Sequence, residues 1–181
     1  MKSTKFKSNK EVAEQIFRTF LDIYDLEGAN FYDTPKRVAK MWNDFFLQEK
    51  PILRAFPSTS NEMVVVKDFI HWGFCPHHLM PVRYTFKVGY IPNGKVIGLS
   101  KIPRLAAWCL AKLPLQEDLP QLLLNELDAV LNPQGLGCMI EGFHLCCAAR
   151  GIKSETINFK NTALRGLMLL SPSTHQEFLD A

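Results

Sequence analysis

The stretch that decides the fold is Val82-Arg83-Tyr84-Thr85-Phe86-Lys87-Val88-Gly89-Tyr90. Large apolar side chains occupy its even-numbered positions, and polar residues or glycine occupy the odd-numbered ones. This period of two places the apolar side chains on one face of a half-buried strand. Pro92-Asn93-Gly94 follows and predicts a hairpin turn into Val96-Ile97-Gly98-Leu99, because Asn-Gly tolerates positive φ angles. We therefore expect antiparallel pairing.

Helical patterns and a second hairpin follow this first one. Ser100 can cap a helix, and another helical stretch runs from Leu119 to Val130 before Pro133 and Gly135 end it. Residues 137–149 alternate again and predict a strand with His144 and Cys146 on one face, beside which residues 156–159 can return.

The segment before residue 60 has the apolar periodicity of two helices, from Lys10 to Tyr24 and from Thr34-Pro35 to about Gln48. We predict an N-terminal helical region over residues 1–60 and a second domain over residues 61–181, in one compact unit. The order of elements predicts the α+β class, with an antiparallel sheet and helices on one face.

Composition excludes several classes of protein. The chain has 181 residues, 47% of them hydrophobic, enough for a sizeable core. A net charge of +3 gives no global field for nucleic acid. The five cysteines are odd in number, and Met1-Lys2-Ser3-Thr4-Lys5 leads into no signal-peptide core, which predicts a cytoplasmic location. The apolar runs are far shorter than the roughly 20 residues that cross a bilayer, so no membrane partner is expected.

Two short motifs supply metal ligands. Cys75-Pro76-His77-His78 has the C-x2-H spacing that lets one turn present Cys75 and His78 to one ion, and zinc prefers thiolate and imidazole ligands. Cys146 is the best third donor, with His144 on the same strand face at about 7 Å, the rise of two residues. A structural Cys2His2 site closed by His77 or His144 is the competing interpretation.

Anion and base recognition have weaker candidates. Ser100, Lys101 and Arg104 begin a helix, where free N–H groups and the dipole favour a phosphate. Arg150 could add a forked donor. Gln116-Glu117 offers a carboxylate that could accept two N–H bonds from a guanine edge, although an acidic residue in a first helical turn is also ordinary.

Taken together, these motifs resemble the GTP cyclohydrolase I family. The matching pieces are Thr34-Pro35-Lys36-Arg37-Val38-Ala39, Cys75-x-His77-His78, Gly98-Leu99-Ser100-Lys101-Ile102-x-Arg104, Gln116-Glu117, His144-x-Cys146 with Ala149-Arg150-Gly151, and the tail at Glu177-Phe178-Leu179. The resemblance implies a tunnelling fold, in which antiparallel four-stranded sheets of several subunits close into a barrel, typically in a homo-oligomeric decamer with sites between subunits.

The resemblance also implies the roles of single residues. Zinc (Zn2+) would be held by Cys75, His78 and Cys146, and His77 and His144 would transfer protons. Glu117 would grip the guanine of GTP, and the triphosphate would be held by Lys101, Arg104 and Arg150, with Ser100 and Gln116 nearby. The implied reaction is hydrolysis at C8 with release of formate and formation of 7,8-dihydroneopterin triphosphate.

Some positions depart from the family pattern and leave alternatives open. Pro76 stands where a glutamate is common, and Asp118 stands where an arginine is expected. The strand Asn158-Phe159-Lys160-Asn161-Thr162 is also altered. The alternatives are a divergent tunnelling-fold enzyme acting on another purine or pterin nucleotide, and a non-catalytic oligomer stabilised by zinc.

Overall fold

The computed structural model describes residues 9–181; residues 1–8, on which the prediction of no signal peptide rests, lie outside the described residues. The chain divides into two compact units, Met1–Glu49 and Lys50–Ala181. The division falls earlier than the predicted one at residue 60, because β1 (Ala55–Pro57) pairs with β4 (Lys95–Ile97) and ties this segment to the second unit. The prediction of a single compact unit stays a prediction.

The first unit contains the two predicted helices. They are α1 (Asn9–Ile23) and α2 (Thr34–Phe46), with a short 3-10 helix at Ala29–Phe31 between them. Pro35 lies in the first turn of α2, where its missing N–H costs nothing. Asp33, one residue before the predicted Thr34, is the N-cap.

The second unit is built around a four-stranded antiparallel sheet of order β2-β3-β5-β6. Its strands are β2 (Val64–Phe74), β3 (Pro81–Ile91), β5 (Gly135–His144) and β6 (Phe159–Gly166). Its helices are α3 (Lys101–Leu110), α4 (Leu119–Leu131), α5 (Leu145–Ala148), α6 (Leu167–Leu170) and α7 (Pro172–Asp180). Across residues 9–181 no helix combines the length and the apolar character that a membrane span requires.

One face of this sheet carries the main core. The even-numbered residues from Val82 to Tyr90 in β3 are buried, as the alternation predicts. On the helical side, α3 and α4 contribute buried side chains such as Leu105, Leu123 and Leu127, all with 0% exposure. Burying each such leucine stabilises the fold by about 1.5–3 kcal/mol. The predicted antiparallel sheet with packed helices is confirmed.

The C-terminal helices lie on the other face of the sheet, whereas the sequence predicts helices on one face only. Met168 of α6 and Phe178 of α7 are fully buried and pack with Ile91 and Met139. The Phe178 ring lies so close to Gly89 and Gly137 that a Cβ atom on either glycine would approach it to 2.9–3.0 Å. The odd-numbered face of β3 is therefore covered at this end of the sheet.

The predicted pairing of the first hairpin is wrong. A turn does follow β3, with Gly94 at φ 72°, but β4 pairs with β1 and not with β3. The reason is that β3 lies in the interior of the sheet, where β2 occupies one of its edges and β5 occupies the other. No edge of β3 is left for β4 in the described chain.

Candidate metal centre and pocket

The loop between β2 and β3 carries the first pair of candidate ligands. Its backbone makes one helical turn, in which the Leu79 N–H donates to the Cys75 carbonyl at 2.8 Å. The Cys75 N–H donates to the Met80 carbonyl at 2.9 Å, and Leu79 takes a left-handed φ of 52° that closes the loop. Residues three apart on a helical turn share a face, which brings Cys75 and His78 together. Cys75 Sγ lies 3.7 Å from His78 Nδ1.

Cys146 lies on a different element from the one that the sequence predicts. Strand β5 ends at His144, and the chain turns into α5, where the Ala149 N–H donates to the Leu145 carbonyl. The predicted strand over residues 137–149 is therefore wrong beyond His144. The pairing with β3 ends at His144 and the pairing with β6 already at Gly142, so a longer strand would have no partner.

The helical turn after β5 brings Cys146 and His144 closer together than a strand would. Cys146 Sγ is 3.9 Å from His144 Nδ1, whereas two residues of strand rise separate side chains by about 7 Å. The ligand atoms of Cys75, His78 and Cys146 all lie within 4.8 Å of one another. Two thiols and one imidazole at this spacing form a possible metal site, and the donor set is one that zinc accepts.

This cluster opens into a pocket of about 320 Å³. The lining residues are Cys75, Pro76, His77, His78, Leu115, Gln116, Glu117, His144, Cys146, Cys147, Phe159, Lys160 and Asn161. The structure thus brings the predicted ligands, both predicted proton carriers and Glu117 to one place. A larger cleft of about 450 Å³ lies in the first unit, but none of its described lining residues is a cysteine or histidine.

Burial sets the protonation of the groups in this pocket. Desolvation lowers the pKa of His144. The negative charge of Glu117 raises this pKa by a smaller amount, and His77 lowers it further. The ring is therefore mostly neutral at pH 7. Burial, followed by the hydrogen bond and charge interaction with Cys75, raises the pKa of the Cys146 thiol to about 12. A metal ion binding here has to displace that proton.

Gln116 is almost fully buried, with 6% exposure, and its amide is bonded to protein groups on both sides. Its Nε2 donates to the Phe159 carbonyl at 2.6 Å and to Asn161 Oδ1 at 2.8 Å. Its Oε1 lies 2.7 Å from His144 Nε2. In the sequence, Phe159 and Asn161 stand out only as members of an altered strand, and no local pattern indicates that they contact Gln116.

The predicted phosphate anchors lie elsewhere. Ser100 is the N-cap of α3, although its side chain makes no capping hydrogen bond, and Lys101 begins that helix. Arg104 and Arg150 are exposed. Among the described residues, these four are absent from the walls of the pocket that holds Glu117 and the metal cluster. Their roles stay predictions.

Comparison with known proteins places this site in a family. The family model for GTP cyclohydrolase I matches residues 10–181. GTP cyclohydrolase 1 of Aquifex aeolicus (strain VF5) is 35% identical over 175 residues, which cover 94% of this chain and 95% of that protein. GTP cyclohydrolase 1 of Campylobacter jejuni (strain RM1221) is 38% identical over 174 residues, which cover 91% of each.

Solved structures also match. The crystal structure of the archaeosine synthase QueF-Like in the apo form aligns with a TM-score of 0.47 and 20% identity, over 60% of this chain and 97% of that one. The α+β architecture predicted for the single chain of a tunnelling-fold protein is confirmed by the described sheet and helices together with the family match. The chain therefore belongs to the GTP cyclohydrolase I family and is a hydrolase of that type, as its motifs predict.

Proposed function

We propose that this chain is a zinc-dependent enzyme that hydrolyses the imidazole ring of GTP at C8, releases formate and forms 7,8-dihydroneopterin triphosphate. The observation that carries the proposal is the convergence of two thiols and an imidazole, within 4.8 Å of one another, on a pocket lined by two further histidines and a glutamate. GTP cyclohydrolase 1 relatives of about 35% identity agree with the substrate.

The donor set fits zinc in a catalytic site. Cys75, His78 and Cys146 would be three protein ligands, and a catalytic zinc site commonly has three, with its fourth position left for water or substrate. When bound, zinc supplies a Lewis acid that makes water a competent nucleophile near neutral pH. Free thiols are required for this ligation, which suits a reducing compartment such as the cytoplasm.

The pocket's own side chains would carry the protons and orient the base. A neutral His144 at pH 7 can accept a proton, and His77 lies at the same pocket wall to return one to the departing ring nitrogen. Glu117 is exposed in the pocket and can accept two N–H bonds from the guanine edge. These contacts hold C8 beside the ligand cluster, which lowers the entropic cost of the reaction.

The triphosphate anchors support a homo-oligomer. Ser100, Lys101, Arg104 and Arg150 lie outside the described pocket walls, so a second copy would bring its own cations to this pocket. In the described chain the outer edges of β2 and β6 have no strand partner, and they could pair with neighbouring copies to close a barrel. A decamer is the size that the sequence resemblance implies.

Pro76 supports one second candidate, an enzyme for another purine or pterin nucleotide. Pro76 lines the pocket beside the ligands, where it removes a backbone donor and stiffens the loop. Asp118, the other departure, is the N-cap of α4 and is absent from the described pocket walls. Substrate choice therefore depends on Pro76 more than on Asp118.

The test is turnover of GTP by protein of measured zinc content. Oxidation of the reaction mixture should give a fluorescent pterin; zinc-loaded protein that gives none would refute the proposal, and turnover of another purine nucleotide would favour the second candidate. His144→Ala should retain zinc and lose turnover by about 10²- to 10⁴-fold. His175→Ala, on α7 and outside the pocket, is the matched control and should keep turnover. Loss of zinc and stability in His144→Ala would indicate a non-catalytic zinc site instead.

A further inference from the structure

The amide of Gln116 has a single orientation that satisfies its neighbours. The Phe159 carbonyl can only accept a hydrogen bond, and it lies 2.6 Å from one end of the amide. That end must be Nε2, because an oxygen there would face another oxygen. Oε1 must then face His144, at 2.7 Å from Nε2 of the ring.

This orientation decides which nitrogen of His144 carries the proton. Oε1 of Gln116 can only accept, so Nε2 of His144 must donate to it. In the neutral ring the other nitrogen, Nδ1, then has the lone pair. Nδ1 lies 3.9 Å from Cys146 Sγ, so the lone pair is on the side of the ligand cluster.

Two further residues hold the amide in this place. Asn161 Oδ1 accepts the second Nε2 hydrogen of Gln116 at 2.8 Å. Gly142, two residues before His144, leaves the space that the amide fills, since a Cβ atom there would lie 2.2 Å from Gln116 Oε1. The Gln116 amide is buried and its donors are fully used, which is typical of a group that orients a neighbour.

We propose that Gln116 is a positioning residue that fixes His144 as the Nε2–H tautomer, with Asn161 as its anchor, so that His144 exchanges protons through Nδ1. This differs from the substrate contact that the sequence predicts for Gln116. Both amide hydrogens go to protein acceptors, so they are not available to a phosphate. The role in proton exchange rests on the proposed function, whereas the tautomer does not.

The first test measures the wild-type protein and needs no substrate. Protein labelled with ¹⁵N-histidine is examined by solid-state NMR at about pH 8, above the ordinary histidine pKa of about 6.5. The nitrogen shifts and couplings separate the two tautomers, and the His144 signal is identified by its loss in His144→Asn. We expect protonated Nε2, both with and without zinc. A proton on Nδ1 would overturn the proposal.

The second test separates positioning from substrate binding. Gln116→Leu should lower kcat by about 10- to 100-fold and leave KM nearly unchanged, because the variant loses the tautomer and not a contact with GTP. Zinc content should stay the same. Gln176→Leu, an exposed glutamine on α7, is the matched control. A raised KM with unchanged kcat would instead assign Gln116 to substrate.

Asn161 provides a milder variant in case Gln116→Leu does not fold. Asn161→Leu removes one acceptor and should populate the second His144 tautomer, whereas Asn161→Asp keeps an oxygen at that position and should retain the wild-type tautomer. Identical spectra for Asn161→Leu and the wild type would remove Asn161 from the proposal. If the wild type has the expected tautomer but turns over no GTP, the proposed function fails while the assignment of the proton stands.

Discussion

At each end of the sheet of the second unit, a large side chain packs directly on a glycine of β5. The side chain is a polar amide at one end and an aromatic ring at the other. At the pocket end, Gly142 makes room for the Gln116 amide, which bonds to His144. At the other end, Gly137 makes room for the ring of Phe178, which packs in an apolar cluster with Ile91, Met139 and Met168, and Lys87 Nζ lies 5.8 Å from the ring centroid. In both places the missing Cβ lets a large group lie directly on the strand.

The difference shows that a glycine under a large side chain helps to orient His144 at one end of the sheet and helps to stabilise the fold at the other. Burial of an aromatic ring stabilises the fold in proportion to the apolar area that it removes from water, and it does not depend on direction. The Phe178 site therefore requires only that the ring fill the space. The Gln116 amide contributes less through area, and its value lies in hydrogen bonds that allow a single orientation. Substitutions at the two ends should therefore change different measured quantities.

The largest expected effect is at the apolar end. Phe178→Ala should lower the free energy of unfolding by about 3–5 kcal/mol, because it removes a fully buried ring and leaves a cavity. Urea denaturation of the zinc-loaded protein measures this. The His144 tautomer should not change. Phe56→Ala, at a ring that is 54% exposed, is the control and should cost less than about 0.5 kcal/mol. Equal losses in both variants would contradict the assignment of Phe178 to the core.

A smaller effect on stability, with a loss of turnover, is expected at the pocket end. Gly142→Ala should displace the Gln116 amide, cost about 1–3 kcal/mol and lower kcat by about tenfold or more. Gly137→Ala meets Met168 Sδ at 2.9 Å and the Phe178 ring at 3.0 Å, and it should cost stability with kcat unchanged. Gly98→Ala meets only Lys101 Cγ, at 3.8 Å, and is the control for stability. If Gly142→Ala and Gly137→Ala have the same kcat, the two ends of the sheet do not differ in their effect on turnover.

The smallest expected effect concerns pH, and it should appear only at the pocket end. Burial lowers the pKa of His144, so below about pH 6.5 the unfolded chain binds a proton that the folded chain does not. The free energy of unfolding should therefore fall as the pH drops from about 7 through the folded pKa. Measurements with a chelator present restrict the effect to the chain's own groups.

Two variants sharpen this prediction about pH. His144→Gln has no titrating ring at this position, so its stability should depend less steeply on pH; the slope that remains would include His71, whose pKa burial also lowers. Phe178→Leu should be less stable at every pH and keep the wild-type slope. An unchanged slope in His144→Gln would show that His144 does not titrate as described.

Much of the fold could be predicted because it depends on local periodicity. The alternation over residues 82–90 gives the buried face of β3, and the three- and four-residue steps give α1 to α4. Which strands pair could not be read in the same way. The Asn93-Gly94 turn is present, yet β4 pairs with β1. A turn reverses the direction of the chain, but it does not decide which strand occupies the edge of β3.

In the candidate site, too, some features follow from local spacing in the sequence and others depend on contacts between distant residues. Cys75 and His78 are three residues apart on one turn, so their meeting follows from spacing. Cys146 is predicted on a strand and lies instead in α5, since the end of β5 depends on where β3 and β6 stop. The contacts of Gln116 with Phe159 and Asn161 join residues more than forty positions apart, and no local pattern encodes them.

The three candidate ligands also connect distant parts of the chain. Cys75 and His78 follow β2, Cys146 follows β5, and both α3 and α4 lie between them. An ion held by all three would join two parts of the folded chain that are about 70 residues apart, and it would stabilise the folded state by binding it in preference to the unfolded state. A cell short of zinc would then contain a protein that is more easily unfolded and degraded, so metal supply would control its abundance as well as its chemistry.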